Sequence, residues 1–264
     1  MIRVGVMGAC GRMGREICRT VVDDPELELV AAFDREYQGM EIGALIGRPV
    51  EGVLVETDLQ KLLGSVAIDV MIDFTVADAM RVNVPQVLEK GIAVVAGTTG
   101  LSAEERAEMG KLAEAHQTGM FHAANFAIGA VLMMKFAAEA AKYMPYAEVI
   151  ELHHDKKLDA PSGTAATTLA KIAENRPALK QGMENEYEKI AGARGGEYEG
   201  MRVHSVRLPG FVASQEVIFG GLGQTLTIRH DSISRESFMP GIALAAKKVK
   251  GWTGLVEDLE NILD

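Results

Sequence analysis

The apolar residues in the first half of the chain form short, continuous runs separated by amphipathic stretches. The runs are rich in Val, Ile, Ala and Met and lie at 2–7, 27–33, 67–74, 92–96 and 119–122. Continuous apolar runs of this length are typical of strands buried on both faces of a parallel sheet. Because helical segments separate them, the pattern predicts an α/β domain with a doubly wound, mostly parallel sheet.

Capping residues indicate where several helices begin and end. Thr75 is predicted to cap a helix that continues to about residue 90. Ser102 and Glu105 have capping-box spacing, which predicts a helix to about residue 116. A long helix is predicted over 127–144, because Pro145 cannot continue it.

The hydrophobic pattern changes after Asn125, which indicates a second domain of the α+β type. Its sheet is predicted to have about four strands, at 147–153, 201–208, 214–219 and 224–230. The short turns between the last three strands predict antiparallel neighbours.

Two further segments complete the predicted organisation. Residues 177–200 are polar and glycine-rich and are predicted to form a long mobile loop. Helices are predicted at 234–250 and 255–263, and they are expected to return to the first domain. The predicted domains are therefore 1–124 with 235–264, and 125–234.

Composition narrows the classes of function. The chain has 264 residues, 48% of them apolar, so it can form a real core, and its formal net charge is −10. This acidity argues against nucleic acid and anionic membranes as partners, and no apolar tract is long enough to span a bilayer. The N-terminus lacks the order of a signal peptide, and Cys10 and Cys18 form no CxxC pair. These features predict a reduced, cytoplasmic protein.

Gly8, Gly11 and Gly14 follow the first predicted strand and open a helix. This GxxGxxG spacing is a variant of the dinucleotide fingerprint, in which glycines let a pyrophosphate approach backbone N–H groups. Asp34 lies 20 residues after Gly14, where an acid that binds the adenine ribose is expected. The first domain is therefore predicted to be of the Rossmann type and to bind a dinucleotide.

The residues after the second strand give opposite indications about the cofactor. Asp34 favours NADH, because a carboxylate accepts from a free 2′-hydroxyl and repels a 2′-phosphate, whereas Arg35 can pair with that phosphate. Use of both NADH and NADPH is predicted, with the preference left open. The turn at 97–100, Gly-Thr-Thr-Gly, can contact the nicotinamide or can be an ordinary turn before a capped helix, and its spacing does not decide between them.

Residues 151–164, ELHHDKKLDAPSGT, concentrate ionisable side chains. His153 and Lys157 share a face whether 147–157 is extended or helical, so they are the pair best placed to act on one small molecule. His153 is a candidate general acid or base, and Lys157 can hold a carboxylate or donate a proton. Ser162 is predicted to cap a helix, and the N–H groups of Gly163 and Thr164 in its first turn then form an anion site.

Two other interpretations of this stretch are disfavoured. His153 and His154 lack a third ligand at a recognised spacing, so no metal is predicted. Ser162 lacks the GxSxG context of a nucleophile. The other histidines are interpreted as helix ends, strand ends or surface residues: His116, His122, His204 and His230.

Four motifs together resemble the 4-hydroxy-tetrahydrodipicolinate reductase family, also called dihydrodipicolinate reductase. They are the N-terminal GxxGxxG, the Gly-Thr-Thr-Gly turn at 97–100, Ala124-Asn125-Phe126, and ELHHDKKLDAPSGTA. The resemblance covers essentially the whole chain. It implies NADH- or NADPH-dependent reduction of 4-hydroxy-tetrahydrodipicolinate, a small dicarboxylate, in the diaminopimelate route to lysine, by a homotetramer assembled through the second, substrate-binding domain.

The resemblance also implies roles for individual residues. His153 would be the proton donor or acceptor, Lys157 a second proton donor, and His154 a substrate contact, while Gly163 and Thr164, next to Ser162, would bind a substrate carboxylate. The residues implied to line the cofactor are Gly8, Ala9, Cys10, Gly11, Arg12, Met13, Asp34, Arg35, Gly97, Thr98, Thr99, Ala123, Ala124, Asn125 and Phe126.

One residue departs from the family, and two other functions compete. Many relatives have a histidine at the position of Ser214. This difference is expected to affect subunit packing or the response to pH rather than activity. The chain can instead be another dehydrogenase that acts on an amino or keto diacid, or a nicotinamide sensor without turnover. Oxidation of NADPH with the cyclic substrate distinguishes these functions. The sequence leaves open whether 177–200 closes over the substrate and where dehydration occurs.

Overall fold

The computed structural model describes residues 1–263, and the chain divides into two compact units. The first comprises Met1–Phe126 together with the chain from Phe238 onward, and the second comprises Ala127–Ser237. Each unit is built on its own sheet.

Within the described residues, the first unit has a seven-stranded sheet, and all its paired strands are parallel. The strands up to residue 126 are β1 (Ile2–Met7), β2 (Leu27–Phe33), β3 (Val55–Glu56), β4 (Val70–Asp73), β5 (Ala93–Ala96) and β6 (Gly119–His122). They lie in the order β6-β5-β4-β1-β2-β3, so the order reverses between β1 and β4. The predicted doubly wound parallel sheet is confirmed, and its switch point lies at the carboxyl ends of β1 and β4, where such folds bind ligands.

The helices of the first unit cover both faces of this sheet's apolar strands. They are α1 (Arg12–Asp23), α2 (Ile42–Ile46), α3 (Leu59–Ser65), α4 (Ala77–Leu88) and α5 (Ala103–Ala115). Every residue of β4 and β5 is buried, which explains their continuous apolar sequences. Helix α3 was not predicted.

The two predicted caps in this unit have different outcomes. The capping box of α5 is confirmed, because the Glu105 N–H donates to Ser102 Oγ at 3.2 Å and the Ser102 N–H donates to Glu105 Oε2 at 2.7 Å. The predicted Thr75 cap is wrong, because Val76 is the N-cap of α4. The Thr75 hydroxyl instead donates to Asp73 at 2.7 Å, since that buried carboxylate needs donors more than the helix end does.

The second unit begins with α6 (Ile128–Ala141) and contains a five-stranded mixed sheet among its described residues. Its other elements are β7 (Tyr146–His153), α7 (Gly163–Glu174), β8 (Gly196–Tyr198), β9 (Met201–Arg207), β10 (Ala213–Gly221) and β11 (Gln224–Ser232). The strand order is β11-β10-β7-β9-β8. The first unit's parallel sheet and this mixed sheet together confirm the predicted fold class.

The connection between β9 and β10 departs from the prediction. The antiparallel pair of β10 and β11 is confirmed, but β9 and β10 are not neighbours, because β7 lies between them. Neighbouring strands lie about 4.8 Å apart, so residues 208–212 are long enough to cross one intervening strand. Strand β7 is thereby placed at the centre of its sheet.

Residues 177–200 are only partly a loop. Residues 196–198 form β8, which was not predicted and which pairs antiparallel with β9. The preceding segment is attached to the sheet, because the Arg194 guanidinium donates to Glu148 on β7 at 2.7 Å, and His204 contacts the same carboxylate at 2.9 Å. The mobility of this segment stays a prediction.

The C-terminal segment also differs from its predicted helices. The helix predicted over 234–250 is α8 (Met239–Lys248), with 3₁₀ turns at Arg235–Phe238 and Val249–Gly251. The helix predicted over 255–263 is wrong, because β12 (Gly254–Glu257) pairs parallel with β6 and a 3₁₀ turn follows at Leu259–Ile262. Pairing with an otherwise open sheet edge outweighs the local preference of a short segment.

Candidate active site

The glycine loop joins β1 to α1 and depends on its glycines. Gly8 has φ of +77°, and a Cβ there would lie 2.7 Å from the Phe74 carbonyl oxygen. A Cβ on Gly14 would lie 2.0 Å from the Gly8 carbonyl oxygen. Gly11 is the N-cap of α1 and supplies no capping side chain, so the first N–H groups of this helix are left for an anion.

Asp34 and Arg35 follow β2 beside this loop but are arranged differently. The Cys10 N–H donates to Asp34 Oδ2 at 2.8 Å, which directs the carboxylate toward the loop. The Arg35 side chain is 89% exposed, and its nearest carboxylate is that of Glu36 at 3.7 Å. Burial and the charge of Asp34 raise the pKa of the Cys10 thiol to about 11, so the thiol is protonated and acts as a small filling residue.

A cavity of about 490 Å³ lies along this side of the first unit. Its walls come from the glycine loop, the end of β2, and the segment between β4 and α4, and they include Gly8, Gly11, Asp34, Arg35, Tyr37, Thr75 and Asn83. Backbone N–H groups for a pyrophosphate, a carboxylate for a ribose, and glycines that leave space for both are the features that a dinucleotide requires. The residues present therefore fit NADH or NADPH.

The turn after β5 is held by a buried hydrogen-bond network. Thr98 Oγ1 donates to Asp73 Oδ2 at 2.6 Å and accepts from the Thr75 N–H at 2.9 Å. His122 Nε2 lies 3.0 Å from the Thr98 carbonyl oxygen, which can only accept, so Nε2 is protonated. Gly97 packs so closely that a Cβ would lie 2.2 Å from the Phe74 ring. The turn is therefore fixed at the carboxyl ends of β4, β5 and β6.

Asp73 and His122 are supports for this turn that the sequence did not reveal. Burial raises the pKa of Asp73, against the opposing effect of its two hydroxyl donors. Burial also lowers the pKa of His122, which keeps its ring neutral. His122 is indeed a strand end, but it is buried and bonded, and only its position at the end of a parallel strand could have indicated this.

The segment 123–126 follows β6 and begins and ends with buried side chains. The Phe126 ring is 2% exposed and packs against Phe74 at a ring-centre distance of 5.4 Å and against Phe121 at 5.8 Å. Ala123 is buried and Ala124 is exposed. The Phe126 side chain therefore belongs to the core.

The charged stretch in the second unit is not continuous in conformation. Strand β7 ends at His153, and a turn follows in which the Lys157 N–H donates to the His154 carbonyl oxygen at 3.2 Å. The chain is therefore not extended as far as Lys157, because a turn replaces the strand after His153. His153 and Lys157 are nevertheless close enough for the lysine charge to influence the pKa of His153, while His154 is exposed.

Strand alternation instead aligns His153 with Glu151. The Glu151 carboxylate is hydrogen-bonded to His153 Nδ1 and is fully buried. Arg207, opposite His153 on β9, donates from both terminal nitrogens to the two oxygens of Glu151, at 2.7 and 2.9 Å. Neither Glu151 nor Arg207 was predicted from the sequence to be part of the site. The two-residue spacing could have indicated Glu151, but no local signal marks Arg207.

Ser162 caps α7 as predicted. Its Oγ accepts from the Ala165 N–H at 3.2 Å, and its own N–H donates to Glu151 Oε1 at 3.3 Å. Helix α7 begins at Gly163, which is exposed, and Thr164 is half-buried. Among residues 1–263 no group of three or more His, Cys, Asp or Glu side chains is arranged to hold a metal.

Ser214 lies on β10 and is buried. It faces Leu152 on one side and Asp231 on the other, and its hydrogen bond to Asp231 helps to hold the pKa of that carboxyl low, after the larger effect of Arg229. The residue is therefore part of the sheet rather than of the charged stretch.

The fold and these residues define a class of protein. The first unit has the strand order and glycine loop of a Rossmann-type domain, with a carboxylate, Asp34, directed toward that loop. The second unit places a histidine, a lysine and a helix N-terminus in one short stretch. This is the organisation of a nicotinamide-dependent oxidoreductase. None of the described helices combines the length and apolar character needed to cross a membrane.

Comparisons with known proteins identify the family. Family models for the N-terminus and the C-terminus of dihydrodipicolinate reductase match residues 2–126 and 129–263. The chain is 52% identical to the 4-hydroxy-tetrahydrodipicolinate reductases of Desulfitobacterium hafniense (strain DSM 10664 / DCB-2) and Moorella thermoacetica. Each alignment covers 100% of this chain, with 99% and 98% of the respective relatives. A dipicolinate-bound dihydrodipicolinate reductase from Paenisporosarcina sp. TG-14 has a TM-score of 0.90 at 45% identity, with 100% of both chains covered.

The chain belongs to the dihydrodipicolinate reductase family. The family consists of oxidoreductases that use NADH or NADPH and act in diaminopimelate and lysine biosynthesis.

Proposed function

We propose that this chain reduces 4-hydroxy-tetrahydrodipicolinate to tetrahydrodipicolinate with NADH or NADPH. The observation that supports this reaction most is the cluster of His153, Lys157 and the N-terminus of α7 within one stretch of the second unit. It offers a proton and two positive sites to a small dicarboxylate. The relatives named for this reaction, and the dipicolinate held by the similar Paenisporosarcina enzyme, support the choice of substrate.

The proposal assigns the cofactor to the first unit and the substrate to the second. The glycine loop at 8–13 holds the pyrophosphate against the first N–H groups of α1, which begins at Arg12. Asp34 or Arg35 binds the adenine ribose or its phosphate, and residues 97–99 and 123–126 bind the nicotinamide. When bound, the reduced nicotinamide supplies a hydride. The boundary at Ala127 and the return of the chain at Phe238 support domains close to 1–124 with 235–264, and 125–234.

The second unit binds the substrate through its carboxylates. The N–H groups of Gly163 and Thr164 lie in the first turn of α7, where the helix dipole favours an anion. Lys157, now paired with the exposed Asp159 at 2.8 Å, can exchange that partner for a substrate carboxylate. His154 is exposed and provides a further donor.

His153 or Lys157 provides the proton. The overall reaction takes up one hydride and one proton and releases one water, so a proton donor near neutral pH is required. His153 Nδ1 is engaged by Glu151, and within residues 1–263 Nε2 has no hydrogen-bond partner, so Nε2 is the atom that can exchange a proton.

A homotetramer in the cytoplasm completes the proposal. The mixed sheet of the second unit leaves apolar side chains exposed at its edge, with Leu222 fully exposed and Leu226 at 40%, which supports assembly through this unit. The two free, buried cysteines support a reducing compartment. Light scattering of the purified protein measures the assembly directly.

Steady-state kinetics test the proposed reaction. Oxidation of NADH and of NADPH is followed by nicotinamide absorbance with the cyclic substrate, made in place by its synthase, and with a panel of keto diacids. We expect oxidation of both cofactors with the cyclic substrate alone. Preferential oxidation with a keto diacid would identify a different dehydrogenase, and cofactor binding without oxidation by any substrate would identify a sensor.

A further inference from the structure

A buried carboxylate lies behind the proposed proton donor and has no assigned role. Glu151 lies on β7, the central strand of the mixed sheet, and its side chain has no solvent exposure. Burying a carboxylate costs several kcal/mol unless partners replace its water. Packing alone therefore does not explain why a carboxylate is buried in the middle of this sheet.

Hydrogen bonds fix the Glu151 carboxylate in one orientation, and four of them come from Arg207, Ser162 and His153. Arg207 Nη2 and the Ser162 N–H donate to Oε1 at 2.7 and 3.3 Å, while Arg207 Nη1 donates to Oε2 at 2.9 Å. Arg207 is itself held by the carbonyl oxygens of Asp159 and Val206, at 2.7 and 2.8 Å. The fourth bond joins Oε2 to His153 Nδ1.

The direction of that fourth bond follows from the chemistry of its partners. Burial raises the pKa of Glu151, but the Arg207, Ser205 and His153 hydrogen bonds outweigh burial and hold it below its usual value, so the group is ionised. An ionised carboxylate only accepts, so Nδ1 must have the proton. Nε2 then has a lone pair in the neutral ring and an N–H in the imidazolium.

The charges around His153 make this carboxylate important. Arg207 faces the ring from β9 and Lys157 from the following turn, and both positive charges disfavour the imidazolium. Glu151, on the same strand, is the negative group that acts most strongly on the ring. Burial lowers the pKa of His153, and Glu151 opposes that shift.

We infer that Glu151, fixed by Arg207, is a positioning residue that holds His153 with Nδ1 protonated and leaves Nε2 to exchange the proton. In turnover the Nε2–H bond breaks, the proton passes to the substrate, and the electron pair stays on Nε2, which solvent reprotonates. The Nδ1–H bond to Glu151 persists throughout. This inference rests on the proposed role of His153.

Glu151→Gln tests the inference at constant side-chain size. The amide keeps an oxygen for Arg207 or Ser162 but removes the charge that stabilises the imidazolium. We expect kcat to fall by about 10²–10⁴-fold, the range seen when carboxylate partners of histidines are replaced, with the KM of the cofactor unchanged. Because the pKa of His153 falls further, the protonated donor is lost at lower pH, and the alkaline fall of kcat moves to lower pH.

A matched control is available on the same strand. Glu148→Gln also removes a β7 carboxylate that is paired with an arginine and a histidine, Arg194 and His204, but it does not contact His153. We expect its pH profile of kcat to match that of the unmodified protein. An equal shift in both variants would overturn the inference, because the effect would then be general to the sheet.

Nitrogen NMR of histidine-labelled protein gives a readout that needs no turnover. The six histidines include one, His153, whose neutral ring should be the Nδ1–H tautomer and whose pKa should fall in Glu151→Gln. An Nε2–H tautomer, or an unchanged pKa, would overturn the inference. If these signals appear as expected while His153→Ala keeps full turnover, the pairing stands and it is the proposed proton donor that fails.

Discussion

The two candidate half-sites of this protein, the glycine loop at 8–14 and the charged stretch at 151–164, use different chemical groups. The cofactor loop in the first unit, residues 8–14, depends on glycines and backbone N–H groups. Its close packing leaves no room for a Cβ at Gly8 or Gly14. The charged stretch in the second unit depends on ionised side chains, and Glu151 and Arg207, which support His153, come from separate strands. The first half-site should therefore fail when a methyl group is added, and the second when a charge is removed at constant size.

The largest expected effect comes from the second unit. We expect His153→Ala and Lys157→Met each to lower kcat by about 10²–10⁴-fold, because each removes a group that moves or stabilises a proton. Lys156→Met is the matched control, since Lys156 is the exposed neighbour and should change kcat by about twofold at most. Full turnover in both His153→Ala and Lys157→Met would contradict the assignment of this half-site.

Adding one methyl group tests the first unit. Gly14→Ala would place a Cβ 2.0 Å from the Gly8 carbonyl oxygen, so the loop must shift. We expect a loss of about 1–3 kcal/mol in the free energy of unfolding and weaker cofactor binding by about tenfold or more. Calorimetry with NADPH and denaturant unfolding measure the two effects.

Gly64→Ala provides the control for that substitution. Gly64 lies within α3, and a Cβ there meets no atom within 4 Å. An alanine at this position should stabilise the fold by about 0.5–1 kcal/mol and leave cofactor binding unchanged. If Gly14→Ala and Gly64→Ala changed unfolding free energy and cofactor binding equally, the close packing at Gly14 would not be what the cofactor loop requires.

In the first unit, the charges of Asp34 and Arg35 are expected to set the preference between NADH and NADPH. We expect Asp34→Asn to lower kcat/KM for NADH and Arg35→Ala to lower it for NADPH, each by about tenfold, because one charged hydrogen bond is lost. The ratio of kcat/KM for NADH to kcat/KM for NADPH should thus fall in Asp34→Asn and rise in Arg35→Ala. A shift of this ratio in the same direction in both variants would show that neither side chain distinguishes the 2′-hydroxyl of NADH from the 2′-phosphate of NADPH.

The smallest effect concerns the segment before β8. Burial raises the pKa of Glu148, but the hydrogen bonds of Arg194 and His204 hold it below its ordinary value of 4.5. The pair therefore stabilises the segment above that value, and the contribution is lost as the pH falls below it. We expect about 1 kcal/mol or less, since Arg194 is 36% exposed. Hydrogen-exchange protection of 184–195, corrected for the intrinsic pH dependence of amide exchange, should decrease in Arg194→Met and, in the unmodified protein, as the pH falls below 4.5. Unchanged protection would contradict the attachment.

The sequence was most informative where the physical cause is local. The bounds of β1, β2 and β6 follow from apolar runs, and the α5 capping box and the Ser162 cap follow from side chains three residues from their partners. The glycine loop is local as well. For these features a short window of sequence contains the whole interaction.

Apart from the Thr75 cap, the wrong predictions occurred where a distant strand decides the outcome. Residues 255–263 have helical spacing, but β6 offers an open edge and the segment pairs with it. Strand β7 enters between β9 and β10, although only a short turn joins those two. Arg207 lies 56 residues from Glu151 in sequence, so no window could have connected them.

Isotope transfer tests the central claim that the two half-sites serve one reduction. The purified protein is given cofactor with deuterium at the transferable position of the nicotinamide, together with the cyclic substrate, and the product ring is analysed by NMR. We expect one deuterium on a ring carbon of tetrahydrodipicolinate for each cofactor oxidised. Oxidation without deuterium in the ring, or no oxidation at all, would contradict this account.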